Sequence, residues 1–83
     1  MKTNDLKKGA RVILRNGWHA RLEDNRKGNT RVATVYGDYT EMGSVYSHDI
    51  VGYETSEGFI RSVEHTPKQE ALRAQLVAGG WGI

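Results

Sequence analysis

Cysteine is absent from this 83-residue chain, which excludes disulfides and thiolate chemistry and fits a reducing compartment. Proline occurs once, at Pro67. No linker, internal repeat or low-complexity segment interrupts the sequence. No apolar run approaches the ~20 residues that a membrane helix needs. Met1-Lys2-Thr3-Asn4-Asp5 lacks the apolar region of a secretory leader, so we expect a cytoplasmic protein with no membrane association. Gly28 and the Gly37–Gly43 stretch are not followed by Gly-Lys-Ser/Thr, which removes a phosphate loop. His19, His48 and His65 have no metal-ligand spacing, and without cysteine a zinc site is not expected. No cofactor is expected.

What is present is a small globular composition, 37% apolar and 27% charged. That is one domain with a small core and a stability of only a few kcal/mol. The charge is unevenly distributed. Residues 1–35 hold nine of the twelve Lys and Arg residues against three acids, a local charge of +6, while residues 36–83 hold three against seven, a local charge of −4. The overall +2 conceals a polarised molecule whose field selects its partners.

The organising signal is period-two alternation broken by glycine. Arg11-Val12-Ile13-Leu14-Arg15, then Asn16-Gly17, then Trp18-His19-Ala20-Arg21-Leu22 predicts a tight hairpin with a type I′ turn, whose two positive-φ positions suit Asn and Gly. Asp24 to Asn29 is a polar loop. Further strands are expected over Thr30–Tyr36, near Ser44–Tyr46, over Ile50–Glu54 and over Phe59–Val63. Connections this short force antiparallel pairing, and closure into a barrel would remove exposed edges. Thr66-Pro67-Lys68-Gln69 is a capping box opening a helix over about residues 67–78, with Leu72 and Leu76 forming a modest apolar stripe and Gly79-Gly80 the stop. A tail with Trp81 and Ile83 follows.

The opening, Lys8-Gly9-Ala10-Arg11-Val12 with Leu14, Gly17 and Leu22, resembles the KOW-type opening of an SH3-like small barrel. The resemblance covers about the first third of the chain and implies binding of RNA, DNA or protein through loops and one barrel face. The family pattern has another glycine shortly after the hairpin glycine, where this chain has Ala20 and Arg21. The compact, cysteine-free character also resembles many accessory proteins of phages and mobile elements.

Ser47-His48-Asp49 invites comparison with a catalytic triad. Adjacent residues in a strand point to opposite faces, however, and cannot form one among themselves. Asp49 is expected instead to accept a backbone hydrogen bond ahead of the Ile50 strand. We therefore expect a mainly β fold, an SH3-like antiparallel barrel of five to six strands over about residues 6–64 with a short C-terminal helix. Its expected core is Val12, Leu14, Trp18, Leu22, Val32, Val35, Val45, Ile50, Phe59 and Val63. The expected function is non-enzymatic binding of nucleic acid (RNA or DNA) or nucleoprotein through the basic hairpin and the 26–31 loop, with Arg15, Arg26, Lys27 and Arg31 on phosphates. The alternative is a protein-binding adaptor or inhibitor, possibly self-associating as a homo-oligomer, that uses the acidic half and anchors through Trp81.

Overall fold

Six strands form one antiparallel sheet in the order β4-β3-β2-β1-β5-β6. In the computed structural model, which describes residues 1–80, these are β1 (Arg11–Leu14), β2 (His19–Leu22), β3 (Thr30–Tyr36), β4 (Thr40–Tyr46), β5 (Ile50–Glu54) and β6 (Ile60–Ser62). Short 3-10 turns cover Thr3–Asp5 and Ser47–Asp49, and a single helix, α1, covers Pro67–Ala78. The mainly β architecture with a C-terminal helix is as the alternation predicts. Closure is not: β4 and β6 end the sheet on opposite sides and do not pair with each other. The β6 side is extended by the N-terminal segment, where a parallel bridge joins Lys2 to Glu64. β4 is also longer than expected, because pairing with β3 runs all the way from Thr30↔Tyr46 to Tyr36↔Thr40.

The first hairpin forms where predicted, but with a different turn. Within this turn Gly17 alone has positive φ, and no non-glycine among the described residues does. The Gly17 N–H donates to Leu14 O and the Leu14 N–H to Trp18 O, each at 2.8 Å. That is a three-residue loop with glycine in the left-handed position, which lets Asn16 keep an ordinary backbone. Asn16 Oδ1 instead accepts from the Trp18 N–H at 3.0 Å.

Val12, Leu14, Leu22, Ile50 and Val63 are buried as expected, joined by Leu6, Ala20 and Ala33. Val32, Val35 and Val45 are only half-buried. Trp18 is 42% and Phe59 63% exposed, so neither belongs to the core. Trp18 lies at the sheet's end, beside a shallow groove of about 280 Å³ that it lines with Leu14, Val35, Met42 and Val45. A Cβ added at Gly37 would meet its ring at 2.5 Å.

The largest correction concerns Arg31, expected on a solvent-facing phosphate site. It is 0% exposed. Its Nε donates to Asp24 Oδ1 at 2.8 Å, one terminal nitrogen donates to Thr3 O at 3.3 Å, and the other to Leu6 O at 3.0 Å and Asp24 O at 2.8 Å. Asp24 accepts in addition from the N–H groups of Val32 and Arg26. A guanidinium offers five donors in a rigid fork, and here three nitrogens reach four acceptors on two segments. Turning Arg31 inward sets the phase of β3: Arg31 and Ala33 face the core and Val32 does not.

Burial pushes the Asp24 carboxyl up. The Arg31 hydrogen bond and the two backbone N–H groups together outweigh this and hold its pKa below the ordinary aspartate value. The stabilisation is therefore present above that ordinary value and lost as pH falls through the lowered one. Removing the cation alone strands a partly buried carboxylate and three carbonyls, a loss of about 3–5 kcal/mol. We expect Arg31→Met to be largely unfolded by circular dichroism in the absence of urea. Lys27→Met should shift the urea midpoint by less than about 0.5 kcal/mol equivalent. An Arg31→Met protein with an unchanged midpoint would refute the keystone role.

Candidate functional site

Two loops at the Arg11 end of β1 carry most of the exposed early cations. The 23–29 loop is held against the 4–9 segment by two side-chain hydrogen bonds: the Lys8 N–H donates to Asn25 Oδ1 at 2.7 Å, and the Gly28 N–H donates to Asn4 Oδ1 at 3.1 Å. Gly9 N–H to Leu22 O, at 2.7 Å, closes the same corner. Lys7, Lys8, Arg26 and Lys27, all exposed, are thereby gathered on neighbouring loops. Arg26 lies 3.4 Å from Asp24. Among the described residues, Lys7, Lys8 and Lys27 form no ion pair within 4 Å.

The four residues expected to hold phosphates therefore separate. Lys27 and Arg26 stay at the surface and Arg31 is internal. Arg15 sits at the other end of β1, where it donates to His48 O at 2.6 Å and lies 3.6 Å from Asp49 Oδ1. Lys7 and Lys8 join the basic corner unforeseen, because only the hydrogen bonds to Asn25 and Asn4 reveal which loop they adjoin. The Trp81 anchor lies outside the described residues.

The open face of the sheet adds a second set of groups. Arg11 pairs opposite Arg21, and Arg21 opposite Thr34. In the next row Ile13 pairs with His19 and His19 with Tyr36. Like charges directly opposite each other are costly. Glu23 offsets this by accepting from Arg21 Nε at 2.8 Å and holding the Arg21 pKa above its ordinary value. Tyr36 and His19 are exposed and present flat ring surfaces beside these cations.

On the other side, Ser47–Asp49, β5, β6 and α1 enclose a polar cleft of about 490 Å³. All three residues of the 3-10 turn are buried. Ser47 Oγ donates to Gly28 O at 2.6 Å, so it is engaged away from His48, and Asp49 faces Arg15 rather than a backbone N–H. The His48 ring stacks on Tyr46 at 4.9 Å between centroids. Loss of water on burial lowers the His48 pKa, Asp49 opposes this, and Arg15, Arg73 and His65 add to the lowering. The sequence separates His48 from His65, yet both line this cleft. The helix is docked by a polar hub rather than an apolar stripe: Leu72 and Leu76 are half-buried and Gln69 alone is buried. Gln69 completes the capping box with Thr66 and donates from Nε2 to Asn4 Oδ1 and Gly28 O.

Compared with known proteins, the chain matches no family model, no curated protein and no solved structure.

The unfolded chain takes up a proton at His48 that the folded one resists. Stability therefore falls as pH drops through the ordinary imidazole range and is fully retained above it. We expect the thermal midpoint to be lower at pH 5 than at pH 7.5. His48→Gln should flatten that slope in a calorimetric series, and an unaltered slope would remove His48 as its source.

Proposed function

We propose that the chain is a non-enzymatic nucleic-acid-binding module that grips RNA or DNA phosphates with Lys7, Lys8, Arg26 and Lys27. The single observation that carries this reading is the hydrogen-bonded union of the 4–9 and 23–29 segments, which gathers cations from two loops, three of them without an acidic partner among the described residues. Phosphate contacts position a polyanion without needing a pocket. Tyr36 and His19, on the open face with Arg11 and Arg21, offer stacking surfaces for unpaired bases. The strand order and the 3-10 turn between β4 and β5 support reading the fold as SH3-like, and the cysteine-free composition supports a cytoplasmic setting.

The test is a salt titration of labelled single-stranded and duplex oligonucleotides. Four phosphate contacts give a slope of log K against log salt of about −2.8 on single strands and about −3.6 on duplex. Reversing Lys7, Lys8 and Lys27 together to Glu should weaken binding at low salt by roughly 100-fold or more and remove about 2.1 units of that slope on single strands and about 2.7 on duplex. Arg26 is left in place because a glutamate there would confront Asp24. An affinity that changes less than about twofold in the triple variant, with its circular dichroism intact, would sink the reading.

A further inference from the structure

The polar cleft bounded by Ser47–Asp49, β5, β6 and α1 has walls whose hydrogen bonding is incomplete. Among the described residues, three buried side-chain nitrogens lack any hydrogen-bond partner: Arg15 Nε, His48 Nδ1 and Arg73 Nε. All three residues line this cleft. Unpartnered buried polar atoms are uncommon in folded proteins, and three in the wall of a single cavity point to a ligand that completes them. His48 is 1% exposed, so its ring is committed to this position and is not an incidental surface group.

The chemistry of the ligand follows from the groups present. Arg73 has no carboxylate within 4 Å among the described residues, and Arg15 shares Asp49 at 3.6 Å with His48. Two guanidinium groups facing one cavity call for an oxyanion. Burial and the two nearby guanidinium groups lower the His48 pKa, which favours the neutral ring. With the proton on Nε2, the nitrogen 3.6 Å from Asp49 Oδ1, Nδ1 is a hydrogen-bond acceptor. His65 Nε2 lies 2.7 Å from Ile50 O; a carbonyl can only accept, so that nitrogen carries a proton and Nδ1 of His65 is the free atom. A carboxylate has two oxygens to accept with and no proton to give. A phosphate monoester, with a second pKa of about 6, presents three oxygens and, near neutral pH, an exchangeable proton as well. Glu70 also lines the cleft, and its charge favours a ligand held by directed bonds over one held by field alone.

We propose that this cleft binds the phosphoryl group of a small phosphate ester, with Arg73 and Arg15 on its oxygens and the neutral His48 Nδ1 accepting a hydrogen bond from the hydroxyl of its monoprotonated form. A volume of about 490 Å³ falls within the ~300–1,000 Å³ range of small-molecule sites and exceeds what inorganic phosphate would fill. Ser62 at the rim is placed to meet the organic portion. This site does not depend on the basic corner and uses none of its residues.

The experiment titrates the full chain with inorganic phosphate, with adenosine 5′-monophosphate and with adenosine, following the His48 and His65 ring resonances by NMR and heats by calorimetry. Saturable binding of the monophosphate, with both histidine rings shifting and no response to adenosine, is expected. Comparable affinity for inorganic phosphate would identify the free anion as a sufficient ligand, whereas tighter binding of the monophosphate would identify the ester. Arg73→Gln should weaken either by about tenfold or more, and Arg73→Lys by less. The Lys7/Lys8/Lys27 reversal should leave this binding unchanged, which keeps its fate separate from that of the nucleic-acid reading. Absence of saturable binding by both anions, or equal affinity in Arg73→Gln, would overturn the site.

Discussion

The Arg31–Asp24 pair is the constraint on which the remaining structure rests. It is not a surface ion pair of small worth, because the guanidinium is wholly buried and its removal leaves acceptors without water. It fastens the N-terminal segment through Thr3 and Leu6, the 23–29 loop through Asp24, and β3 through its own backbone. Leu6, part of the apolar core, is held in place by the same side chain. One cation of the basic half is thus consumed internally, and its burial fixes where the loop carrying Arg26 and Lys27 sits.

Gly28 extends this constraint to the helix. Its carbonyl accepts from both Ser47 Oγ and Gln69 Nε2, and its N–H donates to Asn4. With φ of +105°, the position is one that only glycine adopts without strain. The N-terminal segment, the basic loop, the 3-10 turn and α1 therefore meet at a single residue. The helix needs little apolar surface because Gln69 docks it by hydrogen bonds made in a buried setting, where they are worth most. The cleft and the basic corner are consequently parts of one polar framework, although they present different residues to solvent.

Local features were the ones legible in the sequence. The hairpin around Gly17, the strand positions, the capping box at Thr66 and the helix limits follow from propensity and turn chemistry, which act over a few residues. The buried fate of Arg31 was not legible, since an Arg followed by alternating Val and Thr reads as an exposed strand start. Only Asp24, seven residues earlier, signals the pairing, and the polar loop between them conceals it. Trp18 was misplaced for a related reason: it shares a phase with Ala20 and Leu22, but the core ends before the strand's alternation does. The cleft was invisible because Arg15, His48, His65 and Arg73 come from four separate segments, and no spacing rule joins them.

The polarised charge of the chain acts differently on its two anion-attracting regions. At the basic corner, the proposed polyanion would be held by exposed lysines on joined loops through counterion release, so ionic strength would govern the outcome. The cleft lies among the residues of the acidic half, with Glu70 beside Arg73, and a net field there does not favour an anion. What favours one is the set of unpartnered nitrogens in its wall, whose bonds form out of bulk water and are screened far less. On the two proposed readings salt would therefore separate them, with rising ionic strength emptying the corner well before the cleft. The separation follows from where the sheet puts its charges, with the Arg11 end of β1 leading to the lysines and the Leu14 end leading to Arg15 and the buried 3-10 turn.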